Sequence, residues 1–255
     1  MKKPNILITN DDGIFSSGIF ALWEVLNPIS NLTVVAPKTQ QSAKSHALTL
    51  SKPLRLNLVE RSNGFKGWAV TGTPVDCVKI GLKTKTIKKP DLLISGINQG
   101  ANVGDNIIYS ATVSAANEGV LNNVPSIALS LNSFKSNYWK LAKKIALKVI
   151  NSVLKNGLPK GVLLNVNIPN CKSNQLKGYK ITEKGNQYFN DNFKKRKDPR
   201  DNIYYWMDGK IIDRDKDFRF DGYAIANNYV SITPLKFDLT EYSYIDALKE
   251  NFINE

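Results

Sequence analysis

The sequence predicts an α/β protein in which a largely parallel sheet carries helices on both faces and is followed by a β-rich C-terminal extension that ends in a helix. Three observations lead there. Five short runs, NILIT at 5–9, LTVVA at 32–36, DLLIS at 91–95, SIALS at 126–130 and VLLNVNI at 162–168, are apolar on successive positions, as strands buried on two faces are. Segments with helical spacing alternate with them, which is the pattern of βαβ units. From about Asn174 the texture changes to mixed aromatic and polar residues with frequent turns.

Taken in order, Asn5 to Thr9 is the first strand, and Gly18 to Leu26 (GIFALWEVL) is a helix that returns the chain to a second strand at Leu32 to Ala36. The hand and the parallel pairing follow from the crossover rule. Residues Ala47 to Trp68 are expected to add a hairpin with Asn63-Gly64 near its tip. Thr73-Pro74-Val75-Asp76 reads as a helix start, with Thr73 as cap, Pro74 in the first turn and Asp76 completing a capping box, and the helix should carry Cys77, Val78, Ile80 and Leu82. Asp91 to Ser95 is a third strand, and a glycine-rich stretch then runs to Tyr109. A small-residue helix spans about Ser110 to Leu121, Ser126 to Ser130 is a fourth strand, Tyr138 to Leu154 a long amphipathic helix, and Val162 to Ile168 a fifth strand. The organisation expected is an α/β core at 1–173 and, at 174–255, a β-rich extension with a terminal helix over Leu239 to Phe252.

Composition sets outer limits on function. With 42% hydrophobic and 22% charged residues, the 255-residue chain is an ordinary globular protein rather than a disordered or fibrous one. The net charge of +13 attracts anions, but most of it is dispersed lysine, as in the run Lys83 to Lys89. Only KKRK at 194–197 is compact, and with no recognisable binding module beside it, no nucleic-acid polymer is expected as a partner. Cys77 and Cys171 belong to no disulfide framework or zinc cluster, which fits a reducing compartment. The apolar run in MKKPNILITNDDG is too short for a signal-peptide core and no window is long enough to cross a membrane, so the expected location is cytoplasmic.

Chemistry gathers where the strands end, because loops and helix N-termini converge at the carboxyl edge of a parallel sheet. Asp11 and Asp12 follow the first strand, Ser42 follows the second, and Asn98 follows the third main strand. Two carboxylates, a hydroxyl and an amide oxygen form a hard, all-oxygen set that suits magnesium, manganese or calcium better than zinc. Each piece read alone is ordinary: Asn10-Asp11-Asp12-Gly13 is also a solvated turn, and glycines 96, 100 and 104 match neither the dinucleotide fingerprint nor the P-loop. The glycine-rich loop nevertheless runs into Ser110-Ala111-Thr112-Val113-Ser114 at a helix start, where free N–H groups and hydroxyls can cradle a phosphate. His46, the only histidine, sits in no serine-hydrolase arrangement.

TNDDGIFSSGI, VVAPKTQQSAKSHALTL, TGTPVDCV, the stretch from SGIN through GANVGDNIIYSATVSAANEG, YYWMDG and YVSITPLKFDLT, in this order, resemble the SurE family of survival proteins. The resemblance implies a Rossmann-like core, a homodimer or homotetramer with exchanged C-terminal segments, and metal-dependent hydrolysis of nucleoside 5'-monophosphates that extends to 3'-monophosphates and short polyphosphate. It places the ligands of one divalent ion per subunit, Mg2+ or Mn2+, on Asp11, Asp12, Ser42 and Asn98, the same four oxygens that the strand ends supply. The glycine-rich loop and the 110–114 helix start correspond to the active-site rim, so Asn102, Ser110 and Thr112 are the expected phosphate contacts, and Asp11 or Asp12 is expected to position a water or take its proton. Two departures stand out: family members commonly have glycine where Ala111 stands and a small or apolar residue where Asn117 stands. Tyr109, Tyr204, Tyr205 and Trp206 are candidates to stack on a base, although aromatic residues in a β-rich segment more often serve as oligomer contacts or core. A non-catalytic protein that binds nucleotides or polyanions through the same metal site is the alternative.

Overall fold

The computed structural model describes residues 3–85, 88–135 and 138–253. In chain order the elements are β1 (Asn5–Thr9), α1 (Ser17–Leu26), β2 (Asn31–Pro37), β3 (Leu56–Glu60), β4 (Lys66–Val70), α2 (Pro74–Ile80), β5 (Leu92–Gln99), α3 (Asn106–Tyr109), α4 (Ala111–Leu121), β6 (Ser126–Leu131), α5 (Trp139–Asn156) and β7 (Val162–Ile168), followed by β8 (Gly178–Ile181), β9 (Tyr188–Lys197), β10 (Ile203–Ile212), α6 (Asp221–Ala226), β11 (Tyr229–Lys236) and α7 (Ile245–Phe252). Nine strands form one sheet in the order β3-β4-β2-β1-β5-β6-β7-β11-β8. The pairings from β4 through β7 are parallel, β3 and β11 join antiparallel to β4 and β7, and β8 closes the far edge parallel to β11.

Alternation along the central strands explains why both faces are covered. Ile6 and Ile8 of β1 point to one side, where Ile19, Leu22 and Leu26 of α1 and Ile145, Val149 and Ile150 of α5 pack on Leu92, Ile94, Ile127 and Leu129. Leu7 and Leu93 point to the other side, against Cys77 and Val78 of α2 and Ala115 of α4. Every one of these side chains is at most 5% exposed, so a strand apolar on successive positions has apolar partners above and below. The α2 start is built as its sequence requires: the Thr73 hydroxyl accepts from the Asp76 N–H and the Asp76 carboxylate accepts from the Thr73 N–H.

Several elements differ from the expectation. β5 does not stop at Ser95: after a register irregularity it resumes pairing, Asn98 with Ser130 and Gln99 with Leu131, and carries the chain four residues further along the sheet. The single turn α3 stands within the glycine-rich stretch. α2 ends at Ile80 and Gly81–Lys85 widens to a π-turn, with the Thr84 hydroxyl donating to the Ile80 carbonyl; Thr86 and Ile87 of the lysine-rich run lie outside the described residues. The hairpin is confined to β3 and β4, while Ala47 to Arg55 is irregular; Gly64 in its turn has φ +85°, which favours glycine. The segment from 174 on is β-rich, yet its β8 and β11 belong to the main sheet, and Asp221–Ala226 is a short helix within it. The terminal helix is shorter than 239–252, because the Asp238 and Glu241 side chains accept the N–H groups of Thr240 and Ser243 and compete with helical bonding. β9 and β10 form a separate two-stranded ribbon whose Phe193, Tyr205, Trp206 and Met207 are all exposed, and no residue of α7 is buried.

Candidate active site

The turn after β1 is held from within. Asn10, fully buried, donates its amide N–H to Ser16 Oγ at 2.6 Å and to the Gly13 carbonyl at 3.1 Å, and its Oδ1 accepts from the Gly13 N–H. Ser16 caps α1, so the same amide fixes both the turn and the helix that follows it. Gly13 has φ +95°, a backbone state that other residues rarely adopt, and a Cβ there would lie 3.3 Å from the Pro37 carbonyl oxygen, a tight contact with β2. The Ile14 N–H donates to Pro37 O at 2.9 Å and the Gln41 N–H to Asp11 O at 2.7 Å, which joins the loops after β1 and β2.

Within this frame the two carboxylates have different surroundings. Asp11 is 5% exposed and accepts from the Thr112 hydroxyl on α4 at 2.6 Å. Burial pushes its carboxyl up to about 6; the Thr112 bond opposes that shift and the neighbouring Asp12 charge adds to it. Asp12 is half-buried, accepts from the Gln99 N–H at 3.1 Å, and is raised by burial against that bond. No cationic side chain contributes to either shift. Two adjacent acids, one buried and one half-buried, without a counter-charge are stabilised by a cation.

Asn98 lies at the end of β5 beyond the irregularity, and its amide N–H donates to Gly100 O at 2.8 Å, which turns the amide and leaves its Oδ1 out of that bond. α1 presses on this point: a Cβ on Gly18 would lie 1.8 Å from the Ile97 carbonyl oxygen. Ser42 is exposed beside Gln41, and its hydroxyl accepts from the Gln40 amide at 3.0 Å. Asp11, Asp12, Ser42 and Asn98 thus stand at the carboxyl ends of the neighbouring strands β2, β1 and β5, tied together through Gln41 and Gln99. Among the described residues no three of His, Cys, Asp and Glu gather as a metal site. Two carboxylates, with a hydroxyl and an amide oxygen on the adjoining loop and strand end, make a donor set of the kind that suits a hard divalent cation.

The expected phosphate contacts divide. Ser110 caps α4, its Oγ accepting from the Val113 N–H at 3.1 Å, and the N–H groups of Ala111 and Thr112 have no partner within the helix. Asn102 is locked under the loop: its N–H donates to Asn167 Oδ1, its amide donates to Ser130 Oγ, and its carbonyl accepts from Asn165 and Asn167. Thr112 is fully buried and turned to Asp11 rather than to the rim.

Residues that the sequence reading passed over carry much of this frame. Gln41 and Gln99 act through backbone N–H groups and offer no side-chain signal. Asn165 and Asn167, two polar positions on one face of an otherwise apolar strand, do offer one. Asp221, fully buried, accepts from the N–H groups of Gly104, Gly185 and Gly222, which fastens the glycine-rich loop to the C-terminal segment; burial raises its carboxyl despite those bonds. His46 Nε2 lies 3.0 Å from Glu118 Oε2, and Lys79 and Asn122 each reach Oε1 at 2.8 Å. Burial would raise Glu118, but the bonds from Lys79, His46 and Asn122 outweigh it and hold the carboxyl below its ordinary value. His46 therefore pins the loop after β2 to α4.

Fold and site together define an α/β protein with an oxygen-lined, carboxylate-bearing site at the carboxyl edge of its sheet, beside a helix start suited to anions. The chain belongs to the SurE family: the sequence model described as "Survival protein SurE" matches residues 6–191. It is 44% identical over 243 residues to the 5'-nucleotidase SurE of Syntrophobacter fumaroxidans, covering 95% of this chain and 97% of that one. It is 46% identical over 243 residues to the 5'-nucleotidase SurE of Thermoanaerobacter pseudethanolicus, covering 95% and 96%. The crystal structure of the SurE protein from Aquifex aeolicus superposes with a TM-score of 0.83 at 38% identity, covering 97% of this chain and 99% of that one.

Proposed function

We propose that the protein is a divalent-metal-dependent phosphomonoesterase that releases phosphate from nucleoside 5'-monophosphates, and also from 3'-monophosphates and short polyphosphate. The observation that carries this reading is the pair Asp11 and Asp12, adjacent, one buried and one half-buried, with no cationic side chain contributing to either shift, next to a helix start whose first N–H groups have no partner within the helix. The names of the relatives support the nucleotidase activity, and the donor set supports one Mg2+ or Mn2+ per subunit on Asp11, Asp12, Ser42 and Asn98. Bound there, such an ion supplies charge neutralisation at a phosphoryl oxygen and acidifies a water.

The chain's own residues do the rest. The Ser110 hydroxyl and the N–H groups of Ala111 and Thr112 face the phosphate oxygens, with the helix dipole favouring the anion. One of the two carboxylates orients the attacking water and takes its proton. The exposed apolar ribbon β9–β10 and the uncovered α7 support assembly into a homodimer or homotetramer, since a lone two-stranded ribbon is marginal in water. Among the described residues no helix is long and apolar enough to cross a membrane; the free, buried Cys77 and Cys171 support a reducing, cytoplasmic setting. The test is Asp12→Asn: phosphate release from adenosine 5'-monophosphate with Mn2+ should fall at least ~100-fold while the melting temperature is kept. An unchanged turnover rate in a folded variant would overturn the reading, and Mn2+-dependent nucleotide binding by the wild type without any phosphate release would replace it with a non-catalytic binding protein.

A further inference from the structure

The Thr112 hydroxyl has one hydrogen to give. It is spent on Asp11 Oδ1 at 2.6 Å, inside a side chain with no exposed surface. What remains on that oxygen is lone pairs, which repel a phosphate oxygen rather than bind it. Two residues earlier the situation is reversed: Ser110 Oγ uses a lone pair to accept from the Val113 N–H, so its hydrogen is free. The first turn of α4 therefore divides its groups between two tasks, with Ser110 and the N–H groups of Ala111 and Thr112 available to an anion and the Thr112 side chain facing the opposite way, toward the end of β1.

We propose that Thr112 is a positioning residue for Asp11, acting on cation affinity and not on phosphate binding; this rests on the metal-dependent reading of the site. A carboxylate on a single-bonded stem rotates unless something holds it. The bond to Thr112 fixes one oxygen of Asp11 and so sets the direction of the other, and burial of both partners keeps water from competing. Asp12 is held by the equivalent device from the other side, the Gln99 N–H. Because Thr112 sits in the first turn of α4, the same contact also locks the anion-facing helix start to the cation-binding carboxylates, across 101 residues of sequence.

The experiment compares wild type with Thr112→Val, which keeps the branched shape and removes the donor, and with Thr112→Ser, which restores the donor. Mn2+ binding to metal-free protein is measured by calorimetry, and kcat and KM for adenosine 5'-monophosphate are measured at saturating Mn2+. The valine variant should bind Mn2+ roughly 10-fold or more weakly, the range seen when a partner of a metal ligand is removed, with KM within about 2-fold of wild type. The serine variant should return Mn2+ affinity to within about 3-fold. Should the valine variant not fold, Thr112→Ala carries the same expectation. Mn2+ affinity equal to wild type together with a raised KM would make Thr112 a phosphate contact and overturn the proposal. A wild type that binds no Mn2+ would instead remove the metal reading on which the proposal stands, a result distinct from equal binding by both proteins.

Discussion

Asp11→Asn should stabilise the metal-free protein while it abolishes cation binding. Burial moves the Asp11 carboxyl from its ordinary 3.8 to about 6, which corresponds to about 3 kcal/mol at ~1.4 kcal/mol per decade of acidity. The sign follows from linkage. A carboxyl raised in the folded state holds its proton more tightly there than in the unfolded chain, so stability is greatest below the unfolded value and declines as pH rises through the interval up to about 6. Above that interval the full penalty is in force. Asparagine has nearly the same shape, still accepts from Thr112 through its Oδ1, and has no proton to lose. The assay is urea unfolding of both proteins in chelator at equal protein concentration, at pH 4 and at pH 8. The stability of the variant relative to wild type should be higher at pH 8 than at pH 4 by up to about 3 kcal/mol, equivalent to an upper bound of about 6–12 °C in melting temperature for a chain of this size. A relative stability that is the same at both values would refute the claim that Asp11 is held as a buried, uncompensated acid.

Other perturbations bear on the frame. Gly18→Ala places a methyl group 1.8 Å from the Ile97 carbonyl oxygen, so it should destabilise by about 3 kcal/mol and weaken Mn2+ binding by displacing Asn98; a variant that melts with wild type would show that α1 does not press on the end of β5. Asp221→Ala strands the N–H groups of Gly104, Gly185 and Gly222 and should lower stability by on the order of 3 kcal/mol, since each buried unpaired donor costs about 1–3 kcal/mol, as read from the urea midpoint. Met207→Asp puts a charge on an exposed apolar face of the β9–β10 ribbon, opposite Phe193, and should reduce the mass seen by light scattering to that of one chain; an unchanged larger mass would exclude this face as the contact.

The parts of the fold that the sequence announced are those fixed locally or by alternation. β1 is recoverable because Ile6, Leu7 and Ile8 alternate between two apolar clusters, one on each face, and the start of α2 because Thr73, Pro74 and Asp76 are a self-contained chemical device. The parts that were not announced depend on distant pairing. Glycines and amides in SGINQG argue for a loop, and only the register of Asn98 and Gln99 against β6 shows that the strand continues. β8 and β11 read as an appendage because nothing local says that β7 awaits an antiparallel neighbour. At the site, the four oxygens proposed to hold a cation were chosen from their place after the strands together with the family resemblance. The role of Thr112 was not, because a hydroxyl in a helix start faces an anion or a carboxylate according to a contact 101 residues away. Asn165 and Asn167 were visible in VLLNVNI but had no meaning until Asn102 stood over them.

Metal dependence is tested most directly by one titration: metal-free enzyme and adenosine 5'-monophosphate, with Mn2+ added in steps and phosphate release followed. No release is expected before the first addition, and the rate should saturate as the proposed site of Asp11, Asp12, Ser42 and Asn98 fills. Release that proceeds at full rate in chelator would contradict a metal-dependent site.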